Sequence, residues 1–415
     1  MLNHVLAPDT QAILLLCASF GQNRQIEPLP LTLGEYNLLT DWLRENQMRP
    51  ADLLEATAKA QLQKITNNKL NPDRLLALLQ RGAMLSLAVE KWTSRGLWVL
   101  GRSDTKYPKR LKQILKHSAP AIIYGVGNTE LLSLGGLAVV GSRDVDEDIL
   151  AYTRRVVQTC SQQRIQVISG GARGIDQESM LGILDNGGTS IGVLADSLTK
   201  AAVNSKYRSS IQEGRLTLIS SYDPDSGFNT GNAMGRNKYI YSLADYALVV
   251  NSAFGKGGTW AGAVEALSKL KEIPVFVKMV SPVPEGNQQL YNQGAKPFPS
   301  EFENGNLREI LAKAIADFKH IRTEVITKEN AEQNVKTLPQ DLPTIPEDIY
   351  DVVLPFILNH LEQPKDAKSL ADSLKVRKVQ MDDWLKRALD EGKVRKINKP
   401  VAYVLNQPDT QLSLL

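Results

Sequence analysis

Leu137-Ala138-Val139-Val140-Gly141-Ser142-Arg143 is the stretch that decides the fold. A short apolar run ends in glycine and a cation, and a helical pattern follows from about Asp146 to Gln163. Gln166-Val-Ile-Ser-Gly170 repeats the arrangement, with a helix through Met180 and Leu184 behind it. Ser190–Ala195, Thr217–Ser220, Ala247–Val250 and Pro274–Lys278 continue the series. Continuous apolar strands alternating with helices predict a parallel sheet covered on both faces. The fold class is therefore α/β, with an extended Rossmann-like sheet domain.

On the amino-terminal side, Tyr36, Leu39, Trp42 and Leu43 recur at helical spacing. Leu75, Leu76, Leu78 and Leu79 do so behind the helix start Asn71-Pro72-Asp73. A helical domain is expected over residues 1–95 and the Rossmann-like domain over 96–320. Gly96–Gly101, Tyr107–Leu111 and Ala121–Gly125 read as a transition into the sheet. Residues 321–345 are polar and carry Pro339 and Pro343, so they read as a linker. In residues 346–415, two amphipathic helices built on Ala367, Leu370, Ala371, Leu374 and on Met381, Trp384, Leu385, Ala388, Leu389 precede a hairpin. That order predicts a winged helix, with cations at Lys393, Arg395, Lys396 and Lys399 in the wing.

Composition narrows the function. The chain is 42% hydrophobic and 23% charged, which excludes disordered and fibrous classes. Cys17 and Cys160 are too few for a disulfide framework and show no metal-ligand spacing. The apolar run from Ala12 to Phe20 is far short of the ~20 residues of a membrane helix. A cytoplasmic protein without a membrane partner is expected. The net charge of +4 is too small to announce a polyanion, but its distribution is uneven. Residues 1–120 carry 16 Lys+Arg against 10 Asp+Glu, whereas 121–330 carry 21 against 22. An anion site in the sheet domain must therefore be built locally.

Ligands of such sheets bind beyond the carboxyl ends of the strands. The residues expected there form four glycine-rich loops: Gly141-Ser142-Arg143; Ser169-Gly170-Gly171-Ala172-Arg173; Gly231 to Arg236-Asn237-Lys238; and Lys256-Gly257-Gly258-Thr259. Glycines let backbone N–H groups approach an anion, and the helix N-termini that follow add partial positive charge. The loops are read as a phosphate pocket lined by Arg143, Arg173, Arg236, Lys238 and Lys256. Asp176, near a helix start, is read as capping or orienting a loop amide rather than as a base, and Trp260, Tyr239 and Tyr241 are the stacking candidates. No Walker sequence, spaced G-x-G-x-x-G, catalytic triad or metal-ligand spacing is present. No catalytic residue, metal or cofactor is expected.

In fixed order, Tyr107-Pro108 with Ala121-Ile-Ile-Tyr-Gly125, Val140-Gly-Ser-Arg143, Ser169-Gly-Gly-Ala172 with Gly174-Ile-Asp176, Arg236-Asn237-Lys238 and Gly257-Gly258-Thr259 resemble the bacterial DNA-processing protein A family (DprA, also called Smf). The resemblance implies a non-catalytic protein that binds single-stranded DNA entering by natural transformation. It implies help in displacing single-strand-binding protein, loading of the RecA recombinase, and a homodimer formed through the Rossmann domain. Arg143, Arg236 and Lys238 take the positions of the family's phosphate-gripping cations. Lys238 stands where the family commonly has Arg, and Ala233 and Met234 occupy the neighbourhood of a family Phe, with Phe228 as a distant substitute. Two other readings stay open. One is a nucleotide sensor or phosphoribohydrolase-like enzyme, faintly suggested by Gly257-Gly258-Thr259. The other is a transcription regulator acting through the winged helix.

Overall fold

The 137–141 run becomes an interior strand of a nine-stranded sheet. The computed structural model describes residues 6–21, 28–318, 349–361, 363–374, 376–398 and 401–406. The linker read at 321–345 and Lys399 lie outside them. The chain divides into two compact units, Met1–Lys328 and Glu329–Leu415.

In the first unit, α1 (Pro8–Cys17), α2 (Leu33–Glu45), α3 (Ala58–Leu62), α4 (Pro72–Leu79) and α5 (Gly82–Thr93) form the helical head. The helix start read at Asn71 is present: its side chain accepts N–H bonds from Asp73 and Arg74. Ala12 to Leu16 of α1 are all buried, as expected of a helix that is apolar all round. Trp92 of α5 meets Tyr124 edge-on at 5.0 Å, so head and sheet share one core.

The sheet follows: β1 (Trp98–Gly101), α6 (Lys109–Leu115), β2 (Ile122–Val126), β3 (Leu137–Gly141), α7 (Glu147–Gln162), β4 (Val167–Ser169), α8 (Ile175–Asp185) and β5 (Ser190–Val193). After these come α9 (Leu198–Ala202), α10 (Ser205–Gln212), β6 (Leu216–Ser220), α11 (Thr230–Leu243), β7 (Tyr246–Asn251), α12 (Gly257–Lys269), β8 (Val275–Val277), α13 (Glu285–Asn292), β9 (Lys296–Pro297) and α14 (residues 307–318). The strand order is β1-β2-β6-β5-β4-β3-β7-β8-β9. From β6 to β9 all neighbours run parallel, while β2 pairs antiparallel with β6 and β1 antiparallel with β2. The transition segments thus become an antiparallel edge. Successive side chains of a strand face opposite ways. Leu137 and Val139 accordingly enter the core shared with α1, α7 and α8, whereas Ala138 and Val140 enter the one beneath α6, α11 and α12.

The second unit holds α15 (Ile349–Asn359), α16 (Ala367–Ser373), α17 (Lys378–Asp390) and a hairpin of β10 (Val394–Asn398) with β11 (Val401–Leu405). Leu370, Ala371, Met381, Trp384, Leu385 and Ala388 are buried, which is the face their spacing marks out. Lys393, Arg395 and Lys396 are exposed. No helix among the described residues is long and apolar enough to cross a membrane.

Candidate functional site

The chain leaves β3 towards β4 on one side and returns as β7 on the other, so the strand order reverses between β3 and β7. Such a reversal parts the connecting loops and opens a crevice at the carboxyl ends of the two strands. A cleft of ≈ 640 Å³ lies there, lined from β3 by Val140 to Asp144, from the β7–α12 connection by Ala253 and Lys256 to Thr259, and from α11 by Arg236, Asn237 and Tyr241. A shallower groove of ≈ 330 Å³ adjoins it and brings in Gly170, Gly171 and Arg173. The two share Arg143, Ala172, Phe228, Ala233 and Arg236.

Polar side chains fasten the loops to one another. Thr259 Oγ1 donates to the Gly141 carbonyl at 2.9 Å, and Ser142 Oγ donates to Asn251 Oδ1 at 3.0 Å. Asn237 Nδ2 donates to the Gly258 carbonyl at 2.8 Å, joining α11 to the start of α12. Gly174 has φ +85°, and a Cβ there would lie 2.5 Å from the Arg143 carbonyl oxygen, so only glycine lets this turn pass beneath Arg143.

The expected cations separate into different classes. Arg143 is exposed, and its guanidinium lies 5.3 Å from the Phe228 ring centroid. Lys256 is exposed on the rim. Arg173 is exposed in the side groove and paired with the equally exposed Asp144, an arrangement that contributes little to stability. Lys238 lines neither cavity; its Nζ lies 5.3 Å from the Tyr239 ring centroid, between the cleft residues Asn237 and Tyr241 of α11. Ser169 is buried and donates to the Val139 carbonyl at 2.6 Å, behind the site.

Arg236 differs most from expectation. The segment Gly231–Lys238 is not a loop but the first half of α11, started by Asn229, whose side chain accepts the Asn232 N–H at 3.1 Å. Helical geometry turns Arg236 inward, and its side chain is 7% exposed. Its Nη1 donates to the Gly170 and Val193 carbonyls, tying the ends of β4 and β5 together, and Nη2 lies 4.0 Å from Asp176 Oδ2. Burial pushes the Asp176 carboxyl up, opposed by Arg236 and by N–H bonds from Gly141, Ala172 and Gly170. Burial likewise pulls Arg236 down, against the pull of Asp176. A Cβ on Gly170 would sit 2.1 Å from Arg236 Nη1 and 2.4 Å from Asp176 Oδ2, so glycine is required there to make room for the pair. Asp176 thus faces three loop amides, but it does not cap α8, whose start at Gly174 has no side-chain cap.

Tyr239 and Tyr241 are buried in the core, so neither offers a stacking face. Trp260 is half-buried and meets the exposed Phe254 edge-on at 5.2 Å. Phe228, the distant substitute, is 58% exposed at the junction of the two cavities. Its contact with Arg143 joins positions far apart in sequence and left no local signal. Among the described residues no group of three or more His, Cys, Asp or Glu could hold a metal ion.

The profile of the family described as DNA recombination-mediator protein A matches residues 98–305, half of the chain, and takes in every loop of the cleft. The chain belongs to this family. DNA processing protein DprA of Streptococcus pneumoniae is 28% identical over 197 residues, 46% of this chain and 68% of that protein. Protein Smf of Escherichia coli is 29% identical over 192 residues, again 46% of this chain but only 50% of its own length. The chain thus spans between half and about two thirds of these relatives. The X-ray structure of the Streptococcus pneumoniae protein superposes with a TM-score of 0.55 at 20% identity, over 74% of this chain and 98% of that one. At that identity the likeness speaks for the fold alone, and it agrees with the α/β architecture described above.

Proposed function

We propose that this family member binds single-stranded DNA at the β3/β7 cleft as a binding protein rather than an enzyme. The observation that carries the reading is the rim: an exposed arginine stacked on an exposed phenylalanine, facing glycine-rich backbone and Lys256 across a cleft. Cations and backbone amides suit phosphates, an aromatic face suits an unpaired base, and neither reads sequence. The family's description as a recombination mediator supports DNA as the polyanion. On this reading Arg143, Lys256 and the Gly257–Thr259 backbone take phosphates, Arg173 extends the track, and Gly141, Ser142, Gly170, Gly171 and Asn237 shape it. Arg236 supports the site from beneath. Further proposals are that the chain acts as a homodimer, displaces single-strand-binding protein, and hands the strand to a RecA recombinase.

The test is fluorescence anisotropy of labelled oligothymidine, titrated with salt and competed with duplex DNA and with mononucleotides. Salt-sensitive binding that duplex competes poorly is the expected result. A second reading, a small nucleotide ligand, draws on the cleft volume of ≈ 640 Å³, which lies within the ~300–1,000 Å³ of small-molecule sites. Weak strand binding with strong competition by a mononucleotide would favour it.

A further inference from the structure

The basic excess of the first 120 residues is not used by the cleft. Residues 1–100 are nearly balanced, with 10 cations and 9 acids, whereas 101–120 hold six cations and one acid. These six are Arg102, Lys106, Lys109, Arg110, Lys112 and Lys116, on and around α6.

Two of them have structural work. Arg110 pairs with Asp245 at 2.6 Å, and Asp245 also accepts the Gly136 N–H at 2.9 Å, pinning α6 where β3 and β7 begin. Arg102 donates to Asn37 Oδ1 at 2.8 Å and lies 5.0 Å from the Tyr36 ring centroid. Lys106, Lys109 and Lys116 are exposed, and none makes an ion pair or side-chain hydrogen bond among the described residues. Lys112 shares a helix face with Lys109, three residues before it. Burial lowers its pKa, and the neighbouring charges of Arg102 and Lys109 lower it further, partly offset by Asp104. An uncompensated ridge of like charge opposes folding and is relieved when a polyanion approaches.

The ridge is also placed to meet the cleft. α6 packs against α11, the helix whose first half forms the cleft floor. From Asn237 at the cleft, the next residue is Lys238, whose ammonium lies over Tyr239. Tyr239 and Tyr107 belong to one buried cluster, and Lys112 Nζ lies 5.2 Å from the Tyr107 ring centroid. Lys238 and Lys112 thus stand over buried tyrosines of the same core. From Asn237 to the end of α11 is roughly 10 Å at 1.5 Å per residue, a distance that a strand of a few nucleotides spans. The groove under α6 also contains Glu130 and Glu272, so the proposed contact is with the outer cations, not the groove interior.

We propose that a single strand leaving the cleft runs past Lys238 onto the α6 ridge, where Lys106, Lys109, Lys112 and Lys116 bind its phosphates. The proposal rests on the single-strand reading of the cleft and extends it to a second, length-dependent contact.

The test is a Lys106→Gln/Lys109→Gln/Lys116→Gln variant, whose exposed and unpaired positions leave the fold undisturbed, as a thermal melt will check. Anisotropy is read with oligothymidines of about 4 and about 16 nucleotides, the two ends of the usual single-strand site size. The slope of log affinity against log salt should fall by about 2 for the longer strand, from three contacts at ~0.7 each. It should not change for the shorter one. A longer strand bound by the variant as tightly, and with the same slope, as by the parent would overturn the proposal. Failure of the cleft reading looks different: the short strand then does not bind, or binds without regard to Arg143→Ala, while the long strand still responds to the lysine variant.

Discussion

The floor and the rim of the cleft are built from the same residue type and use it in opposite ways. On the floor, Arg236 is buried, bonded to two strand-end carbonyls and close to Asp176. On the rim, Arg143 is exposed and touches Phe228. Arginine is a poor choice for a free charge in a core, because desolvation is paid in full once a partner is missing. It is a good choice at a wet rim, where its planar head can stack on a ring and meet phosphate at once. The contrast separates the residues that hold the loops from those that can meet a ligand.

The largest expected effect attacks the floor. Arg236→Ala leaves Asp176 buried beside unpaired carbonyls and should cost about 3–5 kcal/mol of stability, read by urea denaturation. Its loss of DNA affinity should track the unfolded fraction. Native stability with selective loss of binding would move Arg236 to the rim class. Gly170→Ala forces a methyl into the same pair and should cost about 1–3 kcal/mol. On the rim, Phe228→Ala should weaken oligothymidine binding by about 1–3 kcal/mol while leaving the salt slope unchanged, since stacking releases no counterions.

The smallest effect comes from an arginine–carboxylate pair in the helical head, which calibrates the Arg236–Asp176 pair of the floor. Arg74 Nη1 donates to Glu35 Oε1 at 2.6 Å, with both side chains roughly three-quarters buried (24% and 22% exposed). Glu35 also accepts the Thr32 N–H at 2.8 Å in a capping box at the start of α2. Burial alone would raise the Glu35 carboxyl, but the bonds from Arg74 and Thr32 outweigh it and hold the pKa below 4.5. A depressed carboxylate contributes stability above its unfolded pKa and loses it as pH falls through the folded value. Glu35→Gln should therefore lower stability by about 1 kcal/mol at neutral pH, and the difference from the parent should shrink as pH falls below about 4.5. A difference that does not change with pH would mean the carboxylate charge is not what stabilises the head.

Much of this was legible in the sequence, for identifiable reasons. Strands buried on both faces read as unbroken apolar runs, so 137–141 and its successors were plain. The antiparallel edge was not, because β1 and β2 are short and acquire their identity only by pairing, β2 with β6 some ninety residues later and β1 with β2. Glycine marked the turns at 141, 170–174 and 255–258. It misled at 231–235, where Gly231 and Gly235 lie inside the first turns of α11 and Asn229, not a glycine, sets the boundary. That error hid the inward turn of Arg236. The meeting of Phe228 with Arg143 had no local signature, because it joins two connections separated by the whole span from β4 to β6.

The most direct test of the rim-and-floor account is the salt dependence of oligothymidine affinity in the parent and in Arg143→Ala, with stability measured on the same samples. Stability should agree within about 0.5 kcal/mol. The slope of log affinity against log salt should fall by about 0.7, the signature of one lost phosphate contact. An Arg143→Ala protein that binds with the parent's affinity and slope would contradict it.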